Sequence, residues 1–195
     1  MSEKSNARQL IVDTAARLFF SQGYHATGLS QIIKESETPK GSLYHYFPRG
    51  KEELAHECIQ QTNQHILGKF RETFAMHDNT GDAIRYFIHQ TAEDAEKAGY
   101  TGFLPFSFWA AVETSCISDK LRQACQNVFA DWQLIIAERL EQEGASKQRA
   151  KEAALLMISM MEGALIISLT NQSKEPMLTA ADYLSVVMKS ATMKH

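Results

Sequence analysis

The sequence is poor in cysteine, proline and glycine, and each shortage excludes a class of protein. Four prolines and ten glycines among 195 residues leave no room for a collagen or a long structureless region. The three cysteines are an odd number without a CxxC pair, which argues against a disulfide framework and a zinc finger. We therefore interpret Cys58, Cys116 and Cys125 as small apolar fillers in a reducing compartment.

The sequence also lacks a long apolar run. The most apolar stretch, residues 155–169, is broken by Ser159, Glu162 and Ser168 and is shorter than the roughly 18 to 20 residues that cross a bilayer. The first ten residues have no apolar core of the kind that a signal peptide carries. We expect a soluble, cytoplasmic protein without a membrane partner.

Motifs of enzymes are missing as well. The chain has no GxGxxG, GxSxG or Walker sequence, and no set of serine, histidine and aspartate predicts a catalytic triad. His56 and Glu57 open an HExxH motif, but Gln60 stands where the second histidine would bind zinc. We predict that the protein is not an enzyme, holds no metal and uses no cofactor.

What the sequence does contain is a helical pattern. Helix-favouring residues are abundant, and apolar residues recur every three or four positions, which predicts an all-α protein of about nine helices. Helices eight and nine are expected at about 146–171 and 179–193, with a loop over 171–176 between them that includes Pro176. The eighth helix is apolar on nearly every side. One subunit cannot cover so many apolar faces, so we predict a homodimer formed through helices eight and nine.

The charge of the chain is unevenly distributed. The formal net charge is -3, but residues 1–52 carry seven Lys and Arg against five acidic residues, an excess of two positive charges. The acidic excess therefore lies entirely in residues 53–195. Residues 1–52, which we call the head, are therefore mildly basic, and the remainder is acidic. This asymmetry makes the head a candidate contact for a polyanion.

The head has the pattern of a helix-turn-helix. A helix over residues 7–22 is followed by a short helix at 29–36, a tight turn and a second short helix at 40–46. In this arrangement the second short helix enters the major groove of DNA with its polar N-terminal residues. By spacing alone, a three-helix cap without DNA binding would give the same pattern. The side chains suited to DNA on the candidate recognition helix are Lys40, Ser42, Tyr44, His45 and Tyr46, and Gly41 permits close backbone approach.

Two runs of residues in this part of the sequence resemble a known protein family. The run FFSQGYHATGLSQIIKES, followed by PKGSLYHYFPRGKEEL, resembles the N-terminal DNA-binding domain of the TetR family of bacterial repressors. The segment FPRGKEEL is similar to the LmrA/YxaF-type branch of that family. The resemblance implies that Thr27 begins the second helix against a phosphate and that Tyr44 and Lys51 are phosphate contacts. It further implies that bases or backbone are faced by Lys40, Gly41, Ser42 and His45.

Three residues depart from the pattern of the family. Glu37 occupies the position of the usual turn glycine, so a non-glycine residue must make the turn. Pro39 replaces the usual Ser or Thr at the start of the recognition helix, which loses a hydroxyl cap and presets the first φ angle. Gly50 adds one residue before Lys51 and leaves the role of that lysine open.

A cluster of aromatic residues between 100 and 109 has two interpretations. The rings belong either to core or dimer packing, or to a ligand pocket with adaptable methionine walls. Glu162 is either a paired charge at a rim or interface, or an acceptor for a ligand hydroxyl. The second interpretation predicts a small, apolar, aromatic effector whose contacts are Phe103, Phe106, Trp109, Trp132, Met157, Met161 and Glu162.

These observations combine into one functional hypothesis. A helix-turn-helix domain over 1–52 would precede a helical ligand-binding and dimerisation domain over 53–195. We expect a ligand-responsive repressor that binds a palindromic operator in double-stranded DNA as a dimer and leaves it when an aromatic effector binds. The alternatives are a helical small-molecule-binding enzyme or carrier without DNA binding, and a helical adaptor for protein partners.

Overall fold

The computed structural model describes residues 3–100 and 106–193. Within these ranges the chain forms nine α-helices, one π-helical turn and no β-strand, which confirms the all-α prediction. The elements in chain order are α1 (Glu3–Ala26), α2 (Leu29–Glu35), α3 (Lys40–Tyr46), α4 (Lys51–Met76), α5 (Thr80–Lys97), the π turn (Ser107–Val112), α6 (Glu113–Ser115), α7 (Asp119–Gln142), α8 (Lys147–Asn171) and α9 (Glu175–Ala191).

The chain divides into two compact units. The first consists of Met1–Asn63 with Gly102–Gln126, and the second of Gln64–Thr101 with Asn127–His195. The first unit therefore contains the π turn and α6, which lie far along the chain from the N-terminal helices. The domain boundary expected at residue 52 stays a prediction.

The first unit is built around α1, which packs against α2, α3, the π turn and α6. Its buried stripe recurs at helical spacing with Ile11, Ala15 and Phe19, none of which is exposed to solvent. Leu43 from α3 and Leu54 from α4 are also completely buried. Burying a side chain of this size contributes roughly 1.5 to 3 kcal/mol, so the short helices owe their stability to this core rather than to their length.

The second unit is built around α5, α8 and α9. Gly81 allows α5 to approach α9 closely, because a Cβ atom at residue 81 would lie 2.8 Å from the carbonyl oxygen of Ser185. Ion pairs reinforce the same contact, since Lys189 lies 2.6 Å from Asp82 and Arg85 lies 2.9 Å from Asp182. These pairs are exposed and contribute little beside the packing.

Helix α9 begins earlier than the sequence pattern predicts. We expected a loop up to residue 176 and a start at 179, but α9 begins at Glu175. Pro176 lies in the first turn of the helix, where its missing N–H group costs nothing and its fixed φ angle favours the helix. The interpretation of that proline as part of a loop was wrong.

Helix α8 is longer than its apolar stretch. Among the described residues it alone is long and apolar enough, by length and composition, to cross a membrane. The expectation that its apolar stretch is too short was therefore wrong for the helix as a whole. Half of its most apolar part is buried inside the protein.

The cysteines divide into two groups. Cys58 and Cys125 are buried, and burial raises the pKa of both thiols, to about 11 for Cys125. The burial of both agrees with the expectation of small apolar fillers. Cys116 is exposed at the end of α6, so its interpretation as an apolar filler was wrong.

Candidate nucleic-acid interface

Helices α2 and α3 each bury one apolar side chain, and this burial turns the polar side of the pair toward solvent. Ile32 of α2 and Leu43 of α3 are completely buried. On α3 this orientation leaves Lys40, Gly41, Tyr44 and His45 exposed, with Ser42 partly buried. The exposed face therefore consists of hydrogen-bonding side chains around a position with no side chain.

The turn between the two helices is made by Glu37, which has a φ angle of 52°. The prediction that a non-glycine residue makes this turn is confirmed. The left-handed conformation disfavours side chains, so neighbouring contacts must hold it. The hydroxyls of Ser36 and Thr38 are buried and 2.7 Å apart, and the Ser36 N–H donates to the carbonyl of Ile32 at 2.9 Å.

Pro39 directly precedes α3 with a φ angle of -57°. Its carbonyl accepts a hydrogen bond of 2.8 Å from the N–H of Ser42. The helix therefore begins without a side-chain cap, as the replacement of Ser or Thr by proline predicts. The position following it, Lys40, lies at the exposed first turn.

Gly41 and Tyr44 lie on the outer face of α3. A Cβ atom at residue 41 would meet nothing within 4 Å, so the fold does not require glycine there. The side chain of Tyr44 is 45% exposed, although a tyrosine ring ordinarily gains stability from burial. Packing within the protein therefore requires neither a glycine at residue 41 nor burial of the Tyr44 ring.

Thr27 lies at the start of α2 but points inward. Its side chain is completely buried, and its hydroxyl donates to the carbonyl of Gly23 at 2.7 Å. Gly28 follows as the N-cap residue of α2. Thr27 therefore shapes the junction between α1 and α2, and its predicted phosphate contact stays a prediction.

Lys51, the first residue of α4, reaches back to the end of α1. Its ammonium lies 4.3 Å from the centre of the Tyr24 ring and 3.5 Å from the carbonyl oxygen of His25. Desolvation lowers the pKa of Lys51, and the negative charge of Glu113 opposes that shift. Gly50 precedes it with a φ angle of 70°, so the inserted residue takes a conformation that suits glycine.

Glu113 is a residue of this region that the sequence analysis missed. Its carboxylate accepts hydrogen bonds from the backbone N–H groups of Tyr24 and His25, the second at 3.3 Å. Nearby, the hydroxyl of Ser118 donates to the carboxylate of Glu52 at the start of α4. No local pattern could have indicated these contacts, because the partners are separated by many residues along the chain.

The candidate effector residues lie in both compact units. Phe106 and Trp109 are buried in the first unit, where the Trp109 ring stacks on Phe19 of α1 at 5.4 Å and meets the edge of Phe20 at 5.2 Å. The second unit contains Trp132, Met157, Met161 and Glu162, all buried. Phe103 lies outside the described residues. Among the described residues, no group of three metal-ligating side chains is placed to hold an ion.

Two family models match this chain. Residues 11–58 match the bacterial regulatory proteins of the tetR family, and residues 80–183 match the C-terminal domain of LmrA/YxaF-like transcriptional regulators. The chain belongs to the TetR family of bacterial transcriptional regulators. TetR-family proteins are DNA-binding regulators rather than enzymes, which confirms the prediction that this protein is not an enzyme and excludes the enzyme alternative.

Individual relatives agree with this membership of the TetR family. The chain is 39% identical over 189 residues to the transcriptional regulator YxaF of Bacillus subtilis, covering 97% of this chain and 98% of that protein. It is 37% identical to the transcriptional regulator LmrA of the same organism over 184 residues, covering 94% and 97%. The suspected LmrA/YxaF branch is thereby confirmed.

Solved structures show the same fold. The regulatory protein TetR from Rhodobacter sphaeroides matches with a TM-score of 0.81 at 20% identity, over 92% of this chain and 97% of that one. The reduced form of Escherichia coli NemR matches with a TM-score of 0.77 at 23% identity, over 93% and 97%. At such identities the likeness establishes the fold alone.

Proposed function

We propose that this TetR-family regulator is a soluble, cytoplasmic repressor that binds a palindromic operator as a homodimer and releases it when a small aromatic effector binds. The observation that carries the DNA-binding part is the outer face of α3. Buried Leu43 directs polar side chains and an unobstructed glycine outward on one short helix. A recognition helix requires this combination, because base edges lie at the floor of the major groove.

The exposed residues of α3 divide into two proposed roles. Lys40, Ser42 and His45 are donors for base edges or backbone, and Gly41 lets the helix approach. Tyr44 places a hydroxyl at the rim of that face, within reach of a phosphate. Lys51 has three N–H donors, of which the His25 carbonyl uses one, so it retains donors for a phosphate. Thr27 supports this geometry from the junction before α2, where its hydroxyl donates to the Gly23 carbonyl.

The DNA contacts are tested by selecting sequences from random duplex DNA with the purified protein. The replacements Lys40→Ala, Tyr44→Ala and Lys51→Ala are expected to weaken binding without unfolding the protein, because these side chains lie outside the apolar core. Loss of a lysine–phosphate contact reduces the magnitude of the negative slope of log affinity against log salt by about one unit per contact, whereas loss of the neutral Tyr44 should change affinity alone. Unchanged affinity and slope in all three variants would contradict the assignment.

An apolar stripe on α8 supports dimerisation. Leu155 and Leu156 are exposed, and so are Ile166 and Ile167 eleven positions later. Eleven residues make about three helical turns, so both pairs lie along one face. On α9, Tyr183 is exposed. Exposed apolar side chains near both ends of one helix face support an interface there, and we propose that helices α8 and α9 form it.

The proposed effector is apolar and aromatic because its candidate contacts are rings and thioethers. Phe106 and Trp109 offer ring surfaces in the first unit, and Trp132 and Met157 offer a ring and an adaptable side chain in the second. Phe103, Met161 and Glu162 remain candidate contacts. An anionic ligand such as a nucleotide would need Arg or Lys, and none is among these residues.

The two tryptophans allow the effector to be located. A library of aromatic compounds is screened for quenching of tryptophan fluorescence and for release of operator DNA. Comparing Trp109→Phe with Trp132→Phe then assigns the quenching to one unit. Linkage requires both effects in the same range of concentration, since the two affinities change by one common factor. A compound that quenches fully and leaves operator affinity unchanged would contradict its role as the effector.

A further inference from the structure

The junction between α1 and α2 contains a break in the backbone. Gly23 has a φ angle of 87° and a ψ angle of 168°, a conformation essentially restricted to glycine. The break prevents the following residues from donating their N–H groups one turn back along the helix. The amides of Tyr24 and His25 therefore need an acceptor from elsewhere in the protein.

Glu113 supplies that acceptor. Its carboxylate receives both N–H groups, and hydrogen bonds to an ionised acceptor are stronger than those between neutral groups. The two carboxylate oxygens lie 2.7 and 2.9 Å from the position that a Cβ atom would take at residue 23. The glycine thus serves twice, because it permits the break and leaves room for the carboxylate.

Other groups hold the opposite side of the same junction. The Thr27 hydroxyl donates to the Gly23 carbonyl at 2.7 Å, and the Lys51 ammonium lies 3.5 Å from the His25 carbonyl. The N–H groups of Tyr24 and His25 thus donate to the Glu113 carboxylate. The carbonyls of Gly23 and His25 accept from the Thr27 hydroxyl and the Lys51 ammonium. Every residue named belongs to the first compact unit.

We propose that Glu113 is a positioning residue for operator binding. Its carboxylate fixes the junction from which α2 begins, and α2 packs on the same core as the recognition helix. The inference rests on the proposed binding of an operator by α3. It adds a route for regulation, because Glu113 directly follows the π turn that contains Trp109, one of the candidate effector contacts.

The sign of the effect separates positioning from bulk electrostatics. Replacing Glu113 by alanine removes a negative charge, which by itself would strengthen binding to a polyanion. A positioning role predicts the opposite, a weaker complex with the operator. Glu138 is a matched control, because it is exposed on α7 and its replacement changes the net charge by the same amount.

The experiment measures operator affinity and amide hydrogen exchange in Glu113→Ala, Glu113→Gln and Glu138→Ala. For Glu113→Ala we expect operator affinity to fall about tenfold while affinity for random duplex does not fall. Exchange at Tyr24 and His25 should accelerate. Glu113→Gln keeps one acceptor oxygen and should recover most of the affinity. Glu138→Ala should bind the operator at least as tightly as the wild type, because it loses the same negative charge, and should leave exchange at Tyr24 and His25 unchanged.

To exclude a general loss of stability as the cause, DNA binding is measured under conditions in which circular dichroism shows all variants to be folded. Under those conditions a merely structural role would leave the ratio of operator to random-duplex affinity unchanged, which would overturn the proposal. Faster exchange with unchanged operator affinity would overturn it as well. If the wild-type protein enriched no DNA sequence, operator binding itself would be refuted. If wild type and Glu113→Ala bound the operator equally, only the positioning role of Glu113 would be refuted.

Discussion

Replacement of Gly41 by alanine should change stability and DNA binding in opposite directions. Gly41 is the second residue of α3, and a Cβ atom there would meet nothing within 4 Å. Alanine favours a helix over glycine by about 0.5 to 1 kcal/mol in helix interiors, and by less near an end. We therefore expect the variant to be as stable as the wild type or a few tenths of a kcal/mol more stable.

The same methyl group should weaken operator binding. It would stand on the exposed face of α3, between the helix axis and the base edges that Lys40 and Ser42 are proposed to reach. A good base contact is worth about 1 to 3 kcal/mol, so loss of one contact costs roughly tenfold in each half-site. A symmetric dimer loses the contact twice, which predicts a reduction of about a hundredfold on a palindrome.

Gly68→Ala provides the matched control. Gly68 lies within α4, and a Cβ atom there would also meet nothing within 4 Å, so the chemical change is the same and the gain in helix propensity is at least as large. Both variants are compared with the wild type by thermal unfolding and by titration of operator DNA. If Gly41→Ala bound the operator as tightly as Gly68→Ala, the outer face of α3 would not be the surface that reads DNA.

Three further predictions concern the second unit and its proposed interface. Ile167→Glu should give a folded protein that sediments as a monomer near 21.9 kDa, since Ile167 is 51% exposed, while the control Val112→Glu keeps the dimer. Gly81→Ala should lower the free energy of unfolding by about 1 kcal/mol in urea titrations, because overpacking against α9 outweighs the helix propensity of alanine; equal stability would contradict the close packing. The hydrogen bond from Lys189 lowers the pKa of Asp82. Asp82→Asn should thus lose stability at neutral pH, and the difference should vanish as the pH falls below the lowered pKa; a difference independent of pH would refute the ion pair.

The helix-turn-helix could be predicted from the sequence because its determinants are local. A short segment contains all of these determinants: the apolar positions Ile32 and Leu43, the turn at Glu37, and Pro48 just after the end of α3. Each fixes the backbone or the buried face of its own helix. The exposed face of α3 follows directly once the buried face is known, which is why the placement of Lys40 and Tyr44 agrees with the pattern.

The remaining features depend on partners that are remote in the sequence. Glu113 has an ordinary helical context, and only the fold brings it to the amides of Tyr24 and His25. The same applies to Trp109, which the pattern grouped with a ligand pocket and which stacks on Phe19 of α1. The periodic spacing of apolar residues predicts that a ring is buried. It does not predict which residues the ring packs against.

The distribution of charge limits how this regulator can obtain and lose its affinity for DNA. The chain as a whole carries a net charge of -3, and the excess of positive charge in its first 52 residues is only two. Bulk attraction to phosphate is therefore weak, and in the proposed mechanism affinity comes from a few well-placed contacts made twice on a symmetric site. Contacts of that kind are sensitive to small displacements of a short recognition helix. The proposed effector therefore would not need to cover the DNA-binding surface, because favouring one position of the α1–α2 junction over another by a few kcal/mol would be enough to empty the proposed operator.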